Sequence, residues 1–90
     1  MDFEWDSTKA RRNSAKHGVT FGEAATIFRD PRELTIYDPD HSITEERFVS
    51  IGISSHKRLL VMGYTDRGGK IRLIFARRPT PIEEMDYEQV

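Results

Sequence analysis

Four of the nine residues in the segment Lys70–Arg78 (KIRLIFARR) carry a positive charge, although the segment has the composition of a β-strand. An arginine side chain stays protonated at biological pH and donates two parallel hydrogen bonds to a phosphate. Arg72, Arg77 and Arg78 therefore predict an anion site on one strand of a sheet. Because these guanidinium groups are close in sequence, we expect a ligand with several phosphates, such as a nucleic-acid backbone. The alternative is a solvated face of ion pairs, each contributing about 0–1 kcal/mol.

Successive side chains of a strand point to opposite sides of its sheet, so the predicted strands divide into two faces. The predicted core face holds Val49, Ile51, Ile53, Ile71, Leu73 and Phe75. The predicted second face holds Ser50, Gly52, Ser54, Lys70, Arg72, Ile74, Ala76 and Arg78. Arg77 has the parity of the core face but lies at the strand end, where it can reach past the sheet. We therefore expect a groove of small residues below guanidinium groups that are free of intramolecular carboxylates.

The charges are unevenly distributed along a chain of 90 residues whose net charge is −1. Residues 57–78 contain seven basic residues and one acidic residue, whereas residues 30–46 contain six acidic residues and one arginine. Residues 79–90 add four acidic residues and no base. A local excess of positive charge attracts polyanions even when the whole chain is near neutrality.

Two further groups of residues could take part in chemistry on RNA. At the end of the first predicted helix, Arg12 and Lys16 lie on one side and His17 follows. A histidine ordinarily titrates near neutral pH and can exchange protons with a hydroxyl, but basic residues also stabilise a helix C-terminus through its dipole. Glu45, Glu46 and Arg47 lie where the second predicted strand begins. Either this triplet forms local ion pairs, or Glu46 faces the groove as a general base.

The elements that must position these residues form a single domain spanning residues 1–90. Asp6 or Ser7 begins a helix that ends at His17 before Gly18, and a second helix follows Thr20, which forms a capping box with Glu23. The predicted strands are 33–37, 47–54, 58–65 and 70–77, and a short helix begins at Pro81 after Thr80. The order α-α-β-β-β-β-α, with short connections between the last three strands, predicts an α+β fold with a four-stranded antiparallel sheet.

Composition and motifs exclude several classes of protein. The chain has no cysteine, so it lacks a disulfide scaffold and a cysteine-ligated zinc site, and we expect a cytoplasmic protein. No leader or apolar run predicts a signal peptide or a membrane span. The three histidines are scattered, and neither a glycine-rich phosphate loop nor a Gly-x-Ser-x-Gly motif is present, so we expect no metal or cofactor.

Six segments occur in an order that resembles the BrnT toxins of bacterial type II toxin–antitoxin systems. They are FEWD, KHGVTFGEAATIF, DPDH, EERFVSIGISS, RLLVMGYTDRG and IRLIFARRPT, and together they span residues 3 to about 80. The resemblance implies a RelE-like fold with ribonuclease activity. It also implies a BrnA-like antitoxin partner with a ribbon-helix-helix domain that binds operator DNA, assembled as a heterotetramer. The arginines important for toxicity would correspond to Arg72 and Arg77, with Arg78 adjacent.

The expected activity is metal-independent RNA cleavage. His17 or Glu46 would remove the proton from a ribose 2′-hydroxyl, while Arg72 and Arg77 would hold the phosphate. The residues expected to bind RNA are Arg12, Lys16, Arg47, Lys70 and Arg78.

Two alternatives to catalysis remain open. The groove could dock a protein segment without chemistry, or the chain could be an inactive relative of the toxins. The second alternative is prompted by the acidic tail, PIEEMDYEQV, which stands where family members often continue with a basic helix. Such a tail could cover the groove or bind a basic partner.

Overall fold

The computed structural model describes residues 1–89 and contains one five-stranded mixed sheet beside three α-helices. The final residue of the predicted domain, Val90, lies outside the described residues. The strands are β1 (Asp2–Glu4), β2 (Leu34–Tyr37), β3 (Arg47–Ile53), β4 (Leu59–Arg67) and β5 (Lys70–Arg77). The helices are α1 (Ser7–His17), α2 (Phe21–Ala25) and α3 (Pro81–Glu88), with 3-10 helices at Thr26–Arg29 and Pro39–His41.

The strands are arranged in the order β1-β5-β4-β3-β2. The α+β class and the four antiparallel strands β2 to β5 are confirmed, but the four-stranded, wholly antiparallel sheet is wrong because β1 pairs in parallel with β5. A strand of three residues is too short to show an alternating pattern, and its partner lies at the other end of the chain. Sequence periodicity therefore could not reveal it.

Helix α1 begins and ends at the predicted residues. It is hydrogen-bonded to the edge of β5 beyond the residues that pair with β1. Asp6 caps its first turn, and Gly18 ends it with a φ of 68°. Strand β1 pairs with β5 only as far as Arg72, so the backbone of Ala76 has no neighbouring strand on that side. The buried side chain of Asn13 takes the strand's place: its amide nitrogen donates to the Ala76 carbonyl at 2.7 Å, and its oxygen accepts the Ala76 N–H at 3.0 Å.

Helix α2 and the following 3-10 helix cover one side of the sheet, which we call the core face. Its buried cluster consists of Val19, Phe21, Ala24, Ala25, Ile27, Leu60, Met62, Tyr64, Leu73 and Ala76. Ser50 and Gly52, the small residues of β3, pair with core residues of β4 and lie on this face. The prediction that they share a face with Arg72 is therefore wrong. A Cβ atom on Gly52 would lie 3.1 Å from Cβ of Ile27, which shows that small residues serve here to admit a helix.

A β-bulge at Ile74 overturns the predicted alternation of β5. Tyr64 of β4 pairs with Leu73, but the preceding Gly63 pairs with Phe75, so Ile74 has no partner. Beyond this extra residue every side chain changes sides. Phe75 therefore leaves the predicted core face, and Ala76 leaves the predicted second face to become buried in the core.

The bulge also places Arg77 on the same side of the sheet as Arg72. We call this side the open face, although some of its residues, including Ile51 and Val61, are buried. Register assigns to it Arg47, Val49, Ile51, Val61, Gly63, Thr65, Arg72, Phe75 and Arg77. Arg77 therefore belongs to this face through the strand geometry itself. The uninterrupted alternation had predicted that Arg77 would reach this face only by extending past the end of the sheet.

Helix α3 is held to the rest of the protein by polar side chains. Glu83 closes the predicted capping box with Thr80 and also forms two hydrogen bonds with Arg77. The Tyr87 hydroxyl donates to the Asp30 carboxylate. Burial and this hydrogen bond raise the pKa of Tyr87 to about 12. The acidic tail thus does contact an arginine of the open face.

A buried ion pair joins α2 to the start of β4. Thr20 accepts the Glu23 N–H, but the Glu23 carboxylate does not complete the predicted capping box; it binds Arg58 at 2.6 and 2.8 Å and the Ser54 hydroxyl at 2.7 Å. The Glu23 side chain is only 4% exposed. The hydrogen bonds from Arg58, added to that from Ser54, outweigh desolvation and lower the pKa of Glu23 to about 2.

Acid should therefore unfold the protein partly through Glu23. Because its folded pKa is lowered from 4.5 to about 2, its stabilising effect is complete above pH 4.5 and is lost as pH falls towards 2. The loss corresponds to about 3 kcal/mol of unfolding free energy. Urea unfolding measured from pH 6 to pH 2.5 should show a shallower pH dependence for Glu23→Gln than for the wild type. The exposed control Glu84→Gln should retain the wild-type slope, and an unchanged slope in Glu23→Gln would contradict this assignment.

Candidate nucleic-acid interface

A groove of about 390 Å³ lies at the open face where the bulge interrupts β5. We call it the open-face groove. It is lined by Asp38, His41, Arg47, Phe48, Val49, Gly63, Tyr64, Ile74, Phe75 and Arg77. The strands β3, β4 and β5 form its floor, and the loop between β2 and β3 forms one wall.

The aromatic ring of Phe75 lies across Gly63 in this groove. A Cβ atom on Gly63 would lie 2.0 Å from the Phe75 ring, so only glycine permits this ring position. The Arg77 guanidinium is 5.6 Å from the centre of the same ring, within cation–π distance. The groove therefore presents an aromatic side chain next to a cation, which are the two components that single-stranded nucleic-acid sites combine.

The two arginines expected to hold phosphate are both paired with carboxylates. Nη1 of Arg72 binds Glu4 at 2.8 Å, and Arg77 binds Glu83 in a bidentate arrangement at 2.7 and 2.9 Å. The hydrogen bonds from Arg77 lower the pKa of the Glu83 carboxyl, and Glu83 in turn raises the pKa of Arg77. The expectation of guanidinium groups free of intramolecular partners is therefore wrong for these two residues.

Arg47 is the least compensated arginine of the open-face groove. Its nearest carboxylate, Glu45, lies 3.8 Å away and forms closer hydrogen bonds with Arg67. The Nε atom of Arg47 is buried and has no hydrogen-bond partner among residues 1–89. The buried Nε itself is closed to an anion in the groove, but the Arg47 side chain is 38% exposed, so its terminal N–H groups can bind one.

A second groove, of about 280 Å³, runs between α1 and β5. We call it the α1 groove. It is lined by Lys9, Arg12, Asn13, Lys16, His17, Ile74 and Phe75. None of its lysines and arginines has a carboxylate within 4 Å in the described part of the chain. Because Ile74 and Phe75 line both grooves, the two form one continuous surface with these unpaired cations on the α1 side.

An aspartate–histidine pair that was not among the predicted site residues lines the open-face groove. Asp38 directly follows β2 and begins the loop to β3, and His41 lies in the 3-10 helix Pro39–His41. Nδ1 of His41 is 2.8 Å from Oδ2 of Asp38. The spacing Asp-x-x-His in the DPDH segment was a usable signal, because three residues is one helical turn. It was not recognised because His41, unlike His17, was considered only as a metal ligand.

The remaining predicted site residues lie elsewhere. Glu46 is exposed, has the parity of the core face and lines neither groove. Lys70 lies beside a separate depression near Trp5, and Arg78 borders a small one near Pro79. The structure thus brings together Arg47 and Arg77 in one groove, with Arg12, Lys16 and His17 in the adjoining one. Arg72 shares a cross-strand row with Thr65 and Arg47 but does not line either groove.

No helix of the described residues is long and apolar enough to cross a membrane. Within residues 1–89, no three histidine, aspartate or glutamate side chains are arranged to hold a metal ion.

The comparisons with known proteins identify the family. The family model described as "Ribonuclease toxin, BrnT, of type II toxin-antitoxin system" matches residues 5–83. The chain belongs to the BrnT family. A crystal structure of the ribonuclease toxin BrnT from Brucella abortus has the same fold, with a TM-score of 0.65 and 20% sequence identity over 89% of this chain and 97% of the other. No protein with a curated functional description matches the sequence. The resemblance seen in the six sequence segments is therefore confirmed.

Substitution of Gly63 should disturb the groove through Phe75. In Gly63→Ala the new methyl group would overlap the ring, and we expect a loss of about 1–3 kcal/mol of unfolding free energy. In a Phe75→Ala background the same substitution should cost less than about 0.5 kcal/mol, because the overlapping ring is gone. Denaturant unfolding of the four variants measures this coupling. Gly22→Ala is the control, because a Cβ atom there contacts nothing within 4 Å. If Gly63→Ala lowers the free energy of unfolding equally in the wild-type and Phe75→Ala backgrounds, the predicted contact is contradicted.

Proposed function

We propose that this BrnT toxin is an endoribonuclease that cleaves RNA without a metal ion at the open-face groove. The observation that carries the proposal is the continuous surface on either side of Phe75. In it, the α1 groove has cations that form no ion pair within residues 1–89, and the open-face groove has arginines. A single-stranded RNA could place phosphates along Arg12 and Lys16 and stack a base on the aromatic ring. Ribonuclease activity is the description of the family as a whole.

The ion pairs of the open face are compatible with phosphate binding. A guanidinium has five N–H donors; Arg72 uses one of them with Glu4, and Arg77 donates to Glu83 and to the Arg78 carbonyl. Donors are therefore left on both side chains. Arg72 has a single contact with Glu4, which a phosphate could displace. The Arg77–Glu83 pair is bidentate and mostly buried, so a phosphate would instead bind the Arg77 donors that Glu83 does not use. The partly exposed guanidinium of Arg47 is a further contact.

The proposed reaction is an attack of a ribose 2′-hydroxyl on the adjacent phosphate. The products are a 2′,3′-cyclic phosphate and a free 5′-hydroxyl. Arg77 and Arg72 stabilise the additional negative charge on the phosphate oxygens in the transition state. Of the two bases expected from sequence, His17 lies in the α1 groove, whereas Glu46 is outside both grooves and less suited to the role. Lys70 and Arg78 would contact only RNA that extends beyond the grooves.

A type II toxin is neutralised by a protein, so membership of this family implies an antitoxin partner. We propose that this partner is a BrnA-like antitoxin with a ribbon-helix-helix domain, that the two proteins form a heterotetramer that binds operator DNA, and that they act in the cytoplasm. Association of purified toxin with the product of the adjacent gene would test this part of the proposal.

The competing function is a binding module without catalysis, or an inactive toxin. The bidentate contact between Glu83 and Arg77 favours it, because an acidic side chain of the tail already occupies the position proposed for a phosphate.

The decisive experiment measures cleavage of an end-labelled single-stranded RNA by purified toxin, with EDTA present throughout. We expect products with 2′,3′-cyclic phosphate ends, and a rate on the order of 10²–10³ lower for Arg77→Ala, because a transition-state contact to the phosphate is lost. Arg72→Ala combined with Arg77→Ala should abolish measurable cleavage. Arg32→Ala, an exposed arginine that lines neither groove, is the control and should cleave at the wild-type rate.

Two results would contradict the proposal. One is full activity of the Arg72→Ala, Arg77→Ala double variant, after thermal unfolding has shown that it is folded. The other is activity that EDTA removes and magnesium restores. Binding of RNA or of the antitoxin without any cleavage would support the binding module.

A further inference from the structure

The loop that carries His41 is fixed to the sheet at the border of the open-face groove. The Asp38 N–H donates to the Arg47 carbonyl at 2.9 Å, which closes the loop at its base. The Ser42 hydroxyl donates to the Asp38 carbonyl and accepts the Arg47 N–H, so it connects both ends. His41 therefore occupies a defined position beside the groove arginines, although its side chain is 68% exposed and accessible to a ligand.

The contact with Asp38 determines which ring nitrogen of His41 is available. A carboxylate can only accept a hydrogen bond, so Nδ1, at 2.8 Å from Asp38 Oδ2, must carry the proton. In the neutral ring Nε2 is then the basic nitrogen. The carboxylate also balances the positive charge that develops on the ring when Nε2 accepts a proton. This is the relation between base and orienting carboxylate found in hydrolytic active sites.

The other two histidines lack this combination. His17 lies in the α1 groove and has no carboxylate within 4 Å among residues 1–89. Nδ1 of His56 is 3.3 Å from Oε1 of Glu23, but the Glu23 carboxylate already binds Arg58. His56 also lines neither groove. Only His41 combines an orienting carboxylate with a position in the same groove as Arg47 and Arg77.

We propose that His41 is the general base of the RNA cleavage reaction and that Asp38 is its positioning residue; this inference rests on the proposed ribonuclease function. Nε2 of His41 removes the proton from the 2′-hydroxyl as the 2′-oxygen forms a bond to phosphorus. The bond between phosphorus and the 5′-oxygen breaks, and the departing oxygen takes a proton from water. The imidazolium ring then releases its proton to solvent, so the enzyme is unchanged.

Four charged groups belong to the loop or to the groove of the proposed base. Asp38 and Asp40 belong to its own loop, while Arg47 from β3 and Arg77 from β5 line the same groove. The two guanidinium groups can hold the phosphate whose neighbouring 2′-hydroxyl approaches His41. The groove therefore contains both the cations that bind the phosphate and the base that activates the nucleophile.

The test compares His41→Ala with the wild type on an RNA oligonucleotide under single-turnover conditions. We expect a rate loss of roughly 10²–10⁴-fold, the usual contribution of a general base. Added imidazole should restore part of the activity of His41→Ala, because it supplies the missing base. Asp38→Asn should lower the rate less, and should alter its pH dependence because the amide group introduced by this substitution can donate to Nδ1 and stabilise the wrong tautomer.

His56→Ala is the matched control, since this side chain is also 68% exposed and also lies beside a carboxylate. It should cleave at the wild-type rate and be insensitive to imidazole. RNA affinity, measured with an oligonucleotide that has 2′-O-methyl groups and cannot be cleaved, should be the same for His41→Ala and the wild type. Equal affinity would show that the variant is folded and that its defect lies in the chemical step.

The outcomes separate this inference from the proposed function. If the wild type cleaves and Arg77→Ala does not, but His41→Ala retains the wild-type rate, the assignment of His41 is overturned and the ribonuclease function stands. A His41→Ala defect that imidazole does not relieve, together with weakened RNA binding, would also overturn it. If the wild type cleaves no RNA, both the function and this inference fail.

Discussion

The position of one unpaired residue, Ile74, determines what the open face can do. Up to Leu73, strand β5 follows a regular alternation, and continuing it would have buried Phe75 and Arg77 under the helices. The bulge moves these two side chains to the open face and sends Ala76 into the core, where Asn13 holds its backbone. The same residue borders both grooves. The surface attributed to RNA binding therefore depends on a local irregularity in one strand.

The open face is not simply a basic surface. Arg72 and Arg77 are each paired with a carboxylate, and the partner of Arg77 comes from the acidic α3 helix. Such pairs fix the guanidinium groups in position, but they also reduce the local charge available to a polyanion. The cations of the α1 groove, which form no ion pair in the described part of the chain, lie instead beside Phe75. We infer that α1 supplies the electrostatic attraction for RNA, whereas the open-face groove supplies the oriented groups for chemistry.

Sequence reasoning predicted most of the fold but divided the faces of the sheet incorrectly. Helix ends at Asp6, Gly18 and Thr80 were predictable because capping depends on local residue types. The bulge and β1 were not, since a register shift and a pairing between the two ends of the chain depend on tertiary contacts. For the site, arginine clustering pointed to β5 and to the basic stripe of α1, which border adjoining grooves, but it could not reveal the carboxylate partners. The spacing of Asp38 and His41 can be read from the sequence, but only the loop structure shows that the two side chains are in contact and line the groove.

The most direct test of this account is an NMR titration with a 2′-O-methyl oligonucleotide that binds but cannot react. We predict that the largest shifts occur at the His41 ring, the Phe75 ring and the Arg47 and Arg77 side chains, with backbone shifts following Lys16 and its neighbours on α1. Shifts restricted to the depression near Trp5 and Lys70, or an absence of shifts in both grooves at concentrations that saturate binding, would contradict it.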